Sequence, residues 1–236
     1  MYYPMFFYND GGMIFFVLLA FLFSMYAQAQ VSGTFKKYSR VRNSRGFTGA
    51  QVAQQMLQNA GIYDVSVQRV AGNLTDHYDP RTKTLRLSQG VYDSTSVAAL
   101  GVAAHETGHA IQHDVGYAPL ALRSFFVPIS SFGSRLAMPL FIIGLIFGGS
   151  TGQFLLTLGI LFFALAVVFT IITLPVEFNA STRAIRLLED DGFLASDEIG
   201  GAKKVLRAAA MTYVAAAFTA LVQLLRLIAI ANRRND

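Results

Sequence analysis

Between Asp10 and Lys36 the chain carries no charged residue, and the middle of that stretch reads MIFFVLLAFLFSMYA. A hydrocarbon core about 30 Å thick is crossed by about 20 mostly apolar helical residues, so a run of this length and purity excludes an ordinary surface helix. A secretory leader would need Lys or Arg ahead of its apolar core. The leading residues MYYPMFFYND have neither, so a retained span over residues 12–30 is expected. Three further runs follow. Leu136 to Phe147 is apolar, GGSTGQ supplies turn residues, and Phe154 to Leu174 is apolar again, which reads as a helical hairpin. Its first arm is long enough only if it begins near Phe125, with Pro128 and Pro139 bending it, so the hairpin is assigned to residues 125–175. The last run, 208–231, contains Arg226 near its end, within reach of the interface by snorkelling.

Composition agrees. Hydrophobic residues make up 53% of the chain and charged residues 14%, which excludes disorder. Cysteine is absent, so a disulfide scaffold and thiolate chemistry are excluded, and any metal must be held by His and carboxylate. The net charge of +5 would admit nucleic acid as a partner, but the basic residues are better explained by topology. Eleven Lys and Arg lie between the first run and Arg135, five lie in Thr173–Arg207, and only Arg226, Arg233 and Arg234 lie elsewhere. The positive-inside rule then puts residues 30–135 and 175–207 in the cytoplasm and both termini outside, with the lipid bilayer as the partner and no nucleic acid.

Residues 31–124 read as a soluble segment. FTGAQVAQQMLQNAG places Val52, Ala53, Met56, Leu57 and Ala60 on one helical face, with Gly61 as its stop. VSVQRV and TLRLS alternate as strands, DHYDPRTKT holds a turn between them, and Ser94 or Ser96 caps a helix running to about His113.

That helix contains His105-Glu106-Thr107-Gly108-His109. Histidines at i and i+4 share a face and can direct nitrogens at one zinc ion, with the intervening glutamate as base for a water. A hydrolytic zinc site needs a third protein ligand. His113 lies ~12 Å along the axis from His105, too far for bonds of ~2.1 Å to one ion. His77 sits in a turn-like strand region. Glu177, following the third apolar run in LPVEFNASTRAI, is the stronger candidate, giving a two-histidine, one-glutamate set of the thermolysin type.

HETGHAIQH and LPVEFNASTRA, with KYSRVRNSRGFTGAQVA, DHYDPRTKTLRLSQGVY, GYAPLALRS and AKKVLRAAAMTYVAAA, resemble the YugP family of bacterial membrane-bound neutral zinc metallopeptidases. The likeness runs from about Lys36 to Leu227. It implies a zinc endopeptidase with His105 and His109 as ligands and Glu106 as general base. More distantly, the layout is similar to the HtpX-like membrane proteases, whose Glu ligand opens an E-x-x-A-D pattern. Here Ser181 stands in place of the final Asp, which in that group buttresses a ligand histidine.

The resemblance implies a mainly α membrane protein, with about four transmembrane helices and a small α+β zincin-like (gluzincin-type) cytoplasmic domain over 31–124. A cytoplasmic helix over 176–207 would carry the third ligand. In zincin folds an edge strand binds extended peptide or protein substrate, membrane or unfolded proteins among them. Leu85–Ser88 or Asp76–Tyr78 could supply that edge, and Tyr213 and His77 are candidates to stabilise the oxyanion. The setting would be the bacterial inner (cytoplasmic) membrane with the active site on its cytoplasmic side. A competing reading is a catalytically silent membrane scaffold whose zinc only holds the soluble part together. The bracketing Asp93 and Asp114 argue against a protease whose motif lies inside a span. Oligomeric state leaves no trace in the sequence.

Overall fold

A computed structural model describes residues 10–234; the charge-free leader 1–9 that favours a retained span lies outside the described residues. Ten elements follow in order: α1 (Asp10–Tyr38), α2 (Gly49–Asn59), β1 (Ser66–Val70), β2 (His77–Asp79), β3 (Thr84–Ser88), α3 (Gln89–Tyr92), α4 (Val97–Asp114), α5 (Ala118–Ile146), α6 (Gly149–Asp190) and α7 (Ser196–Arg233). Four of them, α1, α5, α6 and α7, are long and apolar enough to cross a membrane. The chain divides into two compact units.

The spanning unit comprises residues 10–26, 122–174 and 213–234. At 29 residues α5 is about 43 Å long, more than a hydrocarbon core requires, with Pro128 and Pro139 inside it. Phe141, Leu156, Leu227 and Ala231 form its buried cluster. Small residues bring the α5–α6 hairpin into contact: a Cβ on Gly152 would run into the Phe147 carbonyl. GGSTGQ is therefore a shorter break than its composition suggests. Only Phe147 and Gly148 separate the two helices, and Ser150 to Gln153 already belong to α6.

The second unit comprises Ala27–Ala121 and Pro175–Thr212. Thr48 caps α2, and Gln51 returns a hydrogen bond to the Thr48 backbone, a closed capping box. Gly61 ends the turn after α2 at φ +75°, where a side chain would be strained. The sheet order is β1-β3-β2, with β1 parallel and β2 antiparallel to β3. Leu85–Ser88 thus lies on the central strand, paired with β1 along its length and with β2 over Thr84 to Arg86, and is not an edge; β1 and β2 are. Leu85 and Leu87 pack with Ala53, Leu57, Val91, Ala99 and Ala103 on one side of α4. On its other side Leu100 and Ala104 join Val52, Met56, Ala184, Leu188, Phe193 and Leu206. Buried on both sides, α4 is apolar nearly all round, as VAALGVAA requires.

Several boundaries differ from the sequence reading: α5 begins at Ala118 rather than near Phe125, and α7 at Ser196 rather than near residue 208. α1 continues to Tyr38 rather than ending near residue 30. The segment 176–207 is not one helix: α6 runs through Pro175 to Asp190, residues 191–195 turn, and α7 begins at Ser196. Proline removes one backbone hydrogen bond, and a long helix already committed over 26 preceding residues tolerates that loss.

Candidate metal centre

Ser96 begins α4 by accepting a hydrogen bond from the Ala99 N–H at 3.2 Å, which fixes the helix frame nine residues before His105. Two helices then meet at one glycine. A Cβ on Gly108 would lie 2.8 Å from the Ala180 carbonyl oxygen, so α4 approaches α6 more closely than a residue with a side chain permits. Each helix presents an i, i+4 pair at that crossing: His105 and His109 on α4, Glu177 and Ser181 on α6.

Glu177 is 2% exposed. Its Oε2 lies 3.2 Å from His105 Nε2 and 3.5 Å from His109 Nε2. Three donors at the corners of a tetrahedron around zinc, with bonds of about 2.1 Å, stand about 3.4 Å apart, so both spacings fit. One donor atom from each of the three residues lies within 4.8 Å of the others. The donor set, two imidazoles and a carboxylate, is one that suits zinc. Of the sequence candidates, His105, His109 and Glu177 are thus brought together.

The outer nitrogen of each ring has its own partner. Ser181 Oγ lies 3.2 Å from His105 Nδ1, in the place where an Asp would buttress the ring, and Gln112 Oε1 lies 3.0 Å from His109 Nδ1. Burial disfavours the protonated form of His109, but the carboxylates of Glu177 and Glu106 outweigh it and hold the ring above its ordinary pKa.

Glu106 is held by β2, where Oε2 accepts the Tyr78 backbone N–H at 3.1 Å. The free edge of the sheet therefore opens onto the glutamate between the two histidines. His77 stands beside Tyr78, its Nδ1 2.8 Å from the Thr75 carbonyl and its Nε2 3.4 Å from an Arg86 nitrogen. His113, one turn beyond His109 on the unbroken helix, pairs its Nδ1 with the Tyr78 hydroxyl at 2.9 Å. Burial and the nearby carboxylates push that phenol up to about 12, so it stays neutral. Tyr213 lies on α7, in the spanning unit. Sequence reasoning missed Gln112 and the Tyr78 N–H. The first has a signal, its i+3 position from His109; a backbone donor has none.

Four membrane-length helices and a buried two-histidine, one-glutamate cluster define a membrane protein of the metal-site class. Residues 13–232 match the family described as "Putative neutral zinc metallopeptidase", and the chain belongs to that family. It is 47% identical over 217 residues, 92% of this chain and 95% of the relative, to "Putative membrane protease YugP" of Bacillus subtilis (strain 168). No solved structure matches the chain.

Proposed function

We propose that this chain is a membrane-bound zinc endopeptidase in which His105, His109 and Glu177 hold the metal and Glu106 is the general base. The observation that carries the reading is Glu106, placed between the two ligand histidines and held against a free strand edge. A zinc ion in this donor set would supply Lewis acidity, polarising a carbonyl and making water a nucleophile at neutral pH.

The chain's own groups would do the rest. An extended peptide adds to the outer edge of β2 by taking over the Tyr78 N–H from Glu106, and such backbone hydrogen bonds give affinity with little demand on side chains and suit unfolded or membrane protein substrates. Its carbonyl then lies across the Glu106 carboxylate, which takes a proton from the attacking water and returns it to the leaving nitrogen. His77 is the proposed donor to the oxyanion. The arrangement is zincin-like in its roles: an active-site helix, an edge strand and a glutamate ligand from a following helix. The distribution of Lys and Arg supports a bacterial inner-membrane location with this site on the cytoplasmic side.

The test is purification in detergent, metal analysis, and incubation of casein with the wild type and with Glu106→Gln. One zinc per chain and cleavage abolished in the variant are expected. Stoichiometric zinc with no cleavage by the wild type would instead favour the silent scaffold.

A further inference from the structure

We infer that Gln112, Asn179 and Arg183 form a relay that fixes the tautomer of His109, turning its Nε2 toward Glu177. The inference rests on the reading of His109 as a metal ligand. Gln112 is fully buried on α4. Its Nε2 donates to the Val176 carbonyl at 2.9 Å and to Asn179 Oδ1 at 3.0 Å, while its Oε1 faces His109 Nδ1 at 3.0 Å. Arg183 Nε donates to the same Asn179 oxygen at 2.8 Å.

An amide taken alone can be turned either way, but both ends of this chain are fixed by chemistry. The Val176 carbonyl can only accept, so the Gln112 nitrogen must face it. The Arg183 guanidinium can only donate, so the Asn179 oxygen must face that. Both constraints give one assignment: Gln112 presents oxygen to His109, Nδ1 carries the proton, and the Nε2 lone pair points into the cluster. The Val176 carbonyl also belongs to the residue before Glu177, so one amide ties the ring of one ligand to the backbone of another. His105 has no equivalent, because the Ser181 hydroxyl can donate or accept and leaves its ring free to follow the metal.

These are positioning residues, and orienting groups of this kind are worth about 10–100-fold in metal affinity. Gln112→Met keeps the volume and removes all three hydrogen bonds of the amide. It should weaken zinc binding about tenfold or more in chelator competition. Arg183→Met, on a half-buried residue that touches no proposed ligand, should weaken it several-fold, and Arg183→Lys, which can still donate to Asn179, should restore it. The second readout needs no metal: long-range 15N–1H spectra of the histidine rings at alkaline pH in zinc-free protein carrying Glu177→Ala, which removes the carboxylate that otherwise competes for a proton on His109 Nε2. His109 should carry its proton on Nδ1 in that background and keep it there in Arg183→Met, because the Val176 carbonyl still holds the Gln112 amide, and should become mixed when Gln112→Met is added. His109 protonated on Nε2 in the Glu177→Ala background, or both Met variants binding zinc as the wild type does, would overturn the relay. If Gln112→Met fails to fold, the His109 tautomer in the Glu177→Ala background and the zinc affinities of the Arg183 pair decide. A wild type that binds no zinc would sink the peptidase reading, and the tautomer spectra alone would then judge the relay.

Discussion

In the spanning unit Phe15, Phe125 and Phe154 each expose more than half of their surface, and the polar side chains mostly satisfy themselves. Thr157, Thr170 and Thr173 turn their hydroxyls back on carbonyls three or four residues earlier in the same helix. Lipid offers no alternative acceptor, so the nearest carbonyl takes the hydrogen bond. The Ser24–Thr219 contact at 3.0 Å is an exception that links two helices. In the other unit polar groups reach across elements instead. Asn43 bonds the Thr95 carbonyl, Asp76 accepts from Ser88, and Gln112 joins α4 to α6. Local bonds stabilise a helix whatever its neighbours do, whereas long-range bonds fix how elements meet. A site with tolerances of a fraction of an ångström needs the second kind.

If that contrast is right, chemistry should be lost through single atoms in the polar unit. Glu106→Gln should retain zinc and lose about 10²–10⁴ in hydrolysis rate, because the amide cannot take a proton from water. Activity within a few-fold of wild type in a zinc-replete sample would break the assignment. Glu177→Ala should lose the metal itself, read by zinc content after dialysis. Retention of full occupancy would mean that the third ligand was misassigned.

A paired substitution sharpens the comparison. Gly108→Ala and Gly152→Ala both insert a methyl group where two helices touch, and overpacking of this kind costs typically about 1–3 kcal/mol. Both should lower the melting temperature in detergent. Only Gly108→Ala should also weaken zinc binding, since its methyl group pushes α6 and Glu177 away from the histidines. Equal loss of zinc in both would mean that the two units do not divide the work as proposed.

Orientation can be tested by labelling. Tyr63, 81% exposed in the polar unit, and Ser150, exposed in the first turn of α6, can be replaced one at a time in a chain with no native cysteine. An impermeant thiol reagent on intact cells should label Ser150→Cys and spare Tyr63→Cys. The reverse would put the site outside.

The apolar runs and the i, i+4 histidines were legible because each depends on residues close in sequence. The helices α2 and α4 were legible too, down to Ser96 and Gly61. What the sequence concealed depends on contacts between distant segments. It left two candidates for the edge strand, and only the β1-β3-β2 order removes Leu85–Ser88. Pro175 reads as a helix boundary, yet α6 passes through it, because a long helix outweighs one missing N–H. The Ser181 hydroxyl gives no sign in sequence that it faces a histidine; only the α4–α6 contact at Gly108 brings it there.

The smallest effect expected lies at β2, where the carboxylates of Asp76, just before the strand, and Asp79, its last residue, are shifted in opposite directions. The Thr82 hydroxyl, the Arg81 N–H and Arg86 hold Asp79 down from 3.8 to about 2. Burial pushes Asp76 up, against the hydrogen bonds from Ser88. The signs differ accordingly. The contribution of Asp79 is complete above its unfolded value of 3.8 and is lost as the pH falls through about 2. That of Asp76 is present while it is protonated and fades as the pH rises through its folded value. Amide exchange in β2 and β3, followed from neutral to acid pH, should therefore quicken on the acid side in the wild type. Asp79→Asn should flatten that acid limb, and Asp76→Asn should leave it in place. An unchanged acid limb in Asp79→Asn would show that the hairpin facing Glu106 is held by its backbone pairing with β3 and not by the turn's hydrogen bonds.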